Sequence, residues 1–303
     1  MSTELAGREG FIPFHGYRTW YHIVGGQATP DRLPLLLVHG GPGIPSDCLE
    51  PLEAVAETGR PVVFYDQLGC GKSDRPDDPT LWRIDLFLDE LAAVRDAVGL
   101  DQVHLLGFSW GGALVMEYAL TQPDGLASLI LHSTFARRQA VDAIEQRAYD
   151  TLPPEVADTL RRYEAAGTID DPAYQAARQV FDLRYVCRID PWPDFLQRAI
   201  ARANFAIADV MDDRDDRHAP GGRKNWDITA HLGEIQVPTL VLGGRYDGLA
   251  GGQDEVLRDG IPGAEWVVFE ESSHYAHAEE PERFLAVLDD FLARVEREPA
   301  PRA

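Results

Sequence analysis

The pentapeptide Gly107-Phe108-Ser109-Trp110-Gly111 sits between a strand-like run, Val103–Leu106, and a helical pattern, Gly111–Leu120. Few folds turn a buried strand into a helix in so few residues. The flanking glycines meet the demand, because a turn this tight has no room for Cβ atoms beside a strained serine. A G-x-S-x-G segment in that context lifts the serine hydroxyl to the top of a parallel sheet, where it can act as a nucleophile. Ser109 is therefore the leading candidate for chemistry, and a parallel α/β sheet is the expected fold.

The rest of the chain keeps the same rhythm. Tyr17–Val24 reads as an early strand closed by Gly25-Gly26. Leu35–Val38, Val62–Tyr65, Val103–Phe108 and Leu126–Leu131 are runs of the kind buried on both faces of a parallel sheet. Between them, Asp47–Glu57, Leu81–Val98 and Gly111–Leu120 carry apolar residues at three- and four-residue spacing, which predicts helices. Such alternation implies right-handed crossovers. From Ser133 to Trp226 no strand pattern appears. Helices are expected there at Arg137–Tyr149, Pro154–Ala166, Asp171–Tyr185 and Asp194–Ile207, separated by Pro- and Asp-rich connectors. Alternation resumes with strand Val237–Gly243, a helix near Gln253–Asp259, strand Trp266–Glu270 and a last helix from Pro281 to about Glu296. The expected organisation is an α/β core of residues 1–132 and 227–303, interrupted by an all-helical cap of residues 133–226.

Charge narrows the partners. The 303 residues hold 50 acidic and 28 basic side chains, a net charge of −22. A phosphate backbone demands clustered Lys and Arg, so nucleic acid and an anionic membrane surface are poor partners. The acidity is regional: residues 133–226 carry 16 acidic and 14 basic side chains, the remainder 34 and 14. Cys48, Cys70 and Cys187 are too few and too scattered for a disulfide framework or a metal site. The first ten residues lack the basic and apolar regions of a signal peptide, and no apolar run reaches a membrane span. A soluble cytoplasmic protein is expected, and nothing in the sequence sets its oligomeric state.

A serine nucleophile needs a base, and the base needs an orienting carboxylate. In the chain order Ser…Asp…His, the acid follows a late strand and the histidine lies in a loop near the C-terminus. Strand Val237–Gly243 runs into Gly244-Arg245-Tyr246-Asp247-Gly248, and strand Trp266–Glu270 into Glu271-Ser272-Ser273-His274. Asp247 and His274 are thus the candidates; a helix cap or turn role competes for Asp247, and His277 competes with His274. Preorganised N–H donors must meet the oxyanion. His39-Gly40-Gly41-Pro42-Gly43 offers one donor, Gly41 with Gly40 as the alternative, and the amide of Trp110 the other.

Three motifs together, His39-Gly-Gly-Pro-Gly43, Tyr65-Asp-Gln-Leu-Gly-Cys-Gly-Lys-Ser-Asp74 and Gly107-Phe-Ser-Trp-Gly-Gly112, resemble the proline iminopeptidase and amino-acid amidase branch of the α/β-hydrolases. Asn225-Trp226-Asp227-Ile228, Gly244–Asp247 and Glu271–His274 fit the same branch. The resemblance implies a helical cap inserted after the sixth core strand. It also implies hydrolysis of a small amide or release of an N-terminal residue from a short peptide, with no metal or organic cofactor. Peptidase members carry a glutamate after the catalytic aspartate and another in the cap, which together hold the substrate's ammonium. This chain has Gly248 at the first position, while Asp216, in Met211-Asp-Asp-Arg-Asp-Asp-Arg217, matches the second. Asp216 is either that anchor or part of a solvated charged loop. Loss of one anchor favours a small amino-acid amide over long peptides. The same machinery acting on esters or lactones is the nearest alternative, and a non-catalytic receptor on this fold a more distant one.

Other reactive types read as structural. Cys70 lies between two glycines with no base identifiable nearby, Asp66 anchors its turn, and His104 and His132 are strand histidines.

Overall fold

The strands are β1 (Gly7–Phe14), β2 (Tyr17–Val24), β3 (Leu35–Val38), β4 (Val62–Tyr65), β5 (Val103–Phe108), β6 (Leu126–His132), β7 (Thr239–Gly244) and β8 (Glu265–Phe269). The computed structural model describes residues 7–29, 31–213 and 222–297. There the strands form one sheet in the order β1-β2-β4-β3-β5-β6-β7-β8. β1 and β2 pair antiparallel, as do β2 and β4, and the ladder from β4 to β8 is parallel. β1 has no counterpart in the sequence reading. Its glycines and Pro13 suit an edge strand, which needs hydrogen bonds on one side only. With β1 counted, β6 is the sixth strand.

The apolar runs are continuous because each central strand is buried on both faces. Leu36, Val38, Val63, Tyr65, Leu105 and Leu129 face one layer, packed with helices α1 (Ile84–Val98) and α2 (Trp110–Leu120). Leu35, Leu37, Val62, Phe64, Leu106 and Ile130 face the other, against Leu49, Leu52 and Val55. Each fully buried side chain of this size stabilises the fold by roughly 1.5–3 kcal/mol.

Helices α3 (Arg138–Tyr149), α4 (Pro154–Ala166), α5 (Pro172–Tyr185), α6 (Asp194–Ala201) and α7 (Ala206–Met211) follow β6 without an intervening strand. α8 (Gln253–Gly260), α9 (Ala276–Glu279) and α10 (Pro281–Arg297) complete the order. Phe284, Leu288, Phe291 and Leu292 give α10 one apolar stripe, buried on the second face of the sheet. The chain leaves the sheet at residues 136–138 and rejoins it at residues 226–228, side by side. Arg138 N donates to Trp226 O at 2.9 Å, and Ile228 N to Ala136 O at 2.9 Å.

Two expected helices take another form. Ser46–Thr58 is a 3₁₀ helix containing Pro51, which has no N–H and crowds the α-helical carbonyl before it. The expected helix Asp194–Ile207 is broken between α6 and α7. Asn204 there donates from its backbone N to Gly43 O at 2.8 Å and from Nδ2 to Gly69 O at 2.9 Å. Bonds to two core loops replace the helical ones. Among the described residues no helix is long and apolar enough to cross a membrane.

Candidate active site

Ser109 has φ 54° and ψ −119° between β5 and α2. For a non-glycine residue this backbone is strained by about 1–3 kcal/mol, and the surroundings must hold it. Ser109 N donates to His132 O at 2.9 Å, and Thr134 Oγ1 to Ser109 O at 2.7 Å. A Cβ on Gly107 would lie 2.4 Å from Gly111 O, and one on Gly111 2.0 Å from Val38 O. Both glycines are sterically required.

Asp247 follows β7 and His274 follows β8, so both stand beyond the carboxyl ends of strands. His274 Nδ1 lies 2.9 Å from Asp247 Oδ2, with both residues buried. Asp247 Oδ1 accepts from the amides of Leu249 and Ala250 at 2.8 and 2.9 Å. Burial pushes the Asp247 carboxyl up, but His274 and these amides outweigh it and hold the group below its ordinary value. Nδ1 of His274 is thereby committed, leaving Nε2 for the cavity that it lines with Ser109. The competitor His277 bonds elsewhere, to His132 and the Cys48 carbonyl.

The glycine loop abuts the serine. A Cβ on Gly40 would come 3.2 Å from Ser109 Cβ, so the backbone reaches the serine unobstructed. Gly41 has φ +114° and lines the cavity with Ser109. Trp110 opens α2, where N–H groups lack helical partners and point outward. Its indole donates to Gln67 Oε1 at 2.9 Å, while Gln67 N donates to His39 Nε2 at 2.9 Å.

A family model described as the alpha/beta hydrolase fold matches residues 34–171. The proline iminopeptidase of Heyndrickxia coagulans is 40% identical over 285 residues, 94% of this chain and 98% of that enzyme. That of Clostridium botulinum is 36% identical over 288 residues, covering 94% of this chain and 97% of its own. The crystal structure of proline iminopeptidase from Mycobacterium smegmatis superposes with a TM-score of 0.86 at 36% identity, over 96% of this chain and 99% of the other. The chain belongs to the proline iminopeptidase family of α/β-hydrolases. It is an enzyme, a hydrolase.

In this family member the cavity above Ser109 measures about 850 Å³. Helices α3, α4 and α7 contribute Asp142, Glu145, Glu164 and Asp209 to its wall. Asp142 pairs with Arg138 at 2.8 Å and Glu145 with Arg178 at 2.6 Å. Glu164 accepts from the hydroxyls of Tyr149 and Tyr174 at 2.6 and 3.1 Å. None of these was singled out in the sequence, because a polar residue on a helix facing a cavity has the same spacing as one facing solvent. Asp216 lies outside the described residues.

Gly248 has a spatial reason. A Cβ there would lie 2.5 Å from Tyr185 Cβ, and Gly248 N donates to Tyr185 O at 3.1 Å. The end of α5 fills the space a side chain would need.

Cys70 requires a correction: a base does stand nearby, with His39 Nε2 3.6 Å from its Sγ. Burial nevertheless raises the thiol well above its ordinary range, so it stays protonated and inert. Asp66 anchors its turn, accepting from Ser46 N at 2.9 Å and Lys72 N at 2.8 Å. Among the described residues no group of three His, Cys, Asp or Glu side chains is arranged to hold a metal.

Proposed function

We propose that the enzyme cleaves an amide bond through an acyl-enzyme formed on Ser109. Ser109 Oγ attacks the substrate carbonyl and His274 Nε2 takes its proton. Asp247 fixes the imidazole tautomer and stabilises the imidazolium. The amides of Gly41 and Trp110 hold the oxyanion, His274 returns the proton to the leaving amine, and water repeats the cycle on the acyl-enzyme. Residues 133–226 form the cap over a core of residues 1–132 and 227–303. The observation that carries this reading is the 2.9 Å His274–Asp247 contact, on an imidazole that lines one cavity with the strained Ser109.

The substrates are small amino-acid amides, prolinamide among them, or the N-terminal residue of a short peptide. The name of the relatives supports this class. Tyr185 packed on Gly248 supports a site with fewer ammonium anchors than the peptidase pattern implies, and leaves Asp216 as the anchor to test.

Replacing Ser109 by Ala should lower turnover at least roughly 10⁴-fold. Comparing kcat/KM for proline amide, alanine amide, proline-naphthylamide and p-nitrophenyl acetate tests the substrate class. Turnover of the ester alone would overturn the amide reading. A Ser109 that a fluorophosphonate cannot label would overturn the nucleophile.

A further inference from the structure

The loop Gly40-Gly41-Pro42-Gly43 must aim an N–H with sub-ångström accuracy, yet glycine is the least rigid residue. Its orientation needs bonds from outside. Two come from the segment between β6 and β7. Asn204 N donates to Gly43 O at 2.8 Å, and Arg223 Nη1 donates to Gly41 O at 3.3 Å. The same guanidinium lies over the Trp110 ring, 5.5 Å from its centroid. One buried side chain thus touches both residues assigned to the oxyanion.

Arg223 is itself fixed. Its Nε and Nη2 donate to the two oxygens of Asp212 at 2.7 and 3.0 Å, a bidentate fork. Arg138 Nε and Nη2 donate to the same oxygens at 3.1 Å each. Arg138 begins α3, Asp212 directly follows α7, and Arg223 lies on the return to the core. The ion cluster sits where the helical segment leaves and rejoins the sheet, and Arg223 carries its geometry to the glycine loop.

We propose that Arg223 is a positioning residue that holds the Gly41 and Trp110 amides in register for the oxyanion, so that the seating of the helical segment sets the catalytic geometry. This rests on the serine mechanism above. In the transition state the oxyanion gains charge and its donors matter most; in the ground state they matter little. Disturbing Arg223 should therefore act on kcat.

The test compares Arg223→Gln and Arg223→Lys in the full chain with the wild type. It measures kcat and KM on the best amide of the panel, and inhibition by the corresponding amino-acid aldehyde, whose serine adduct places an oxyanion in the same site. Expected for Arg223→Gln is a kcat loss of about 10- to 100-fold, less than deletion of a donor outright, with KM changed by less than about threefold. Aldehyde affinity should fall by the same factor as kcat. Arg223→Lys should fall between, and added guanidinium should restore part of the Arg223→Gln rate. A raised KM at unchanged kcat, or a kcat loss without a matching loss of aldehyde affinity, would overturn the proposal. If Arg223→Gln unfolds, the same ratio measured on Arg223→Lys decides. Ser109→Ala, run in parallel, reports separately on the underlying mechanism.

Discussion

His132 Nε2 stands 2.9 Å from His277 Nδ1, and His277 Nε2 stands 2.8 Å from the Cys48 carbonyl. A carbonyl can only accept, so His277 carries its proton on Nε2 and accepts from His132 at Nδ1. The chain of bonds pins α9 directly behind the loop that carries His274, with Phe108 against both His274 and His277 at 4.9 and 5.4 Å between ring centroids.

Burial lowers the His277 imidazole to about 4, against the opposing pull of its bond to the Cys48 carbonyl. The folded state therefore holds His277 neutral while the unfolded chain protonates it below about 6.5. Its contribution to stability is present above that value and is lost as pH falls toward 4. His277→Gln should flatten the acid limb of a Tm-versus-pH curve across that window. It should also lower kcat by about 10- to 100-fold through misplacement of His274. An acid limb as steep as that of the wild type would disprove the assignment.

Asp247→Asn should keep the fold and KM while lowering kcat by about 10⁴-fold. An amide in place of the carboxylate turns the imidazole into the wrong tautomer and leaves the imidazolium without its counter-charge. Steady-state kinetics beside circular dichroism would separate this from unfolding.

Glu296, near the end of α10, accepts from the fully buried Arg60 at 2.6 and 2.9 Å. Burial opposes its charge, but His104, Arg60 and the Leu33 amide outweigh that and hold the carboxyl at about 2. Its stabilisation is present above the unfolded value of 4.5 and is lost as pH falls toward 2. Glu296→Gln strands a buried guanidinium, which costs about 3–5 kcal/mol. Urea denaturation at neutral pH would measure it, with activity per folded molecule unchanged.

Glu90 behaves in the opposite sense. It is buried, accepting from Thr19 Oγ1 and the Leu68 amide. Desolvation raises its carboxyl to about 8, so it folds protonated. Stability is complete below the unfolded value of 4.5, declines as pH rises, and levels beyond about 8. Glu90→Gln, which mimics the protonated acid, should remove that decline. A Gln variant that still loses stability between pH 5 and 8 as the wild type does would show that another group is responsible.

Much of this was legible in the order of residues. The five central strands β3 to β7 follow from apolar runs, since a strand buried on both faces cannot hide its composition. β1 escaped because an edge strand needs no such run. Ser109, Asp247 and His274 could be proposed from the sequence because each lies within five residues of the carboxyl end of a strand, and a parallel sheet brings all such positions to one end. Gln67, Asp212 and Arg223 were not found. Their contacts reach partners as distant as the 182 residues separating Arg223 from Gly41, and no local pattern marks such a contact.

By itself the sequence determined the parallel strands of the sheet, the tight turn at Ser109 and the chain order of the candidate acid and histidine, because local periodicity and glycine placement leave little choice. Tertiary structure decided which histidine meets Asp247, that Tyr185 excludes a side chain at Gly248, and that Arg223 reaches the glycine loop. Those are distances between elements, and they exist only once the helical segment is packed on the sheet.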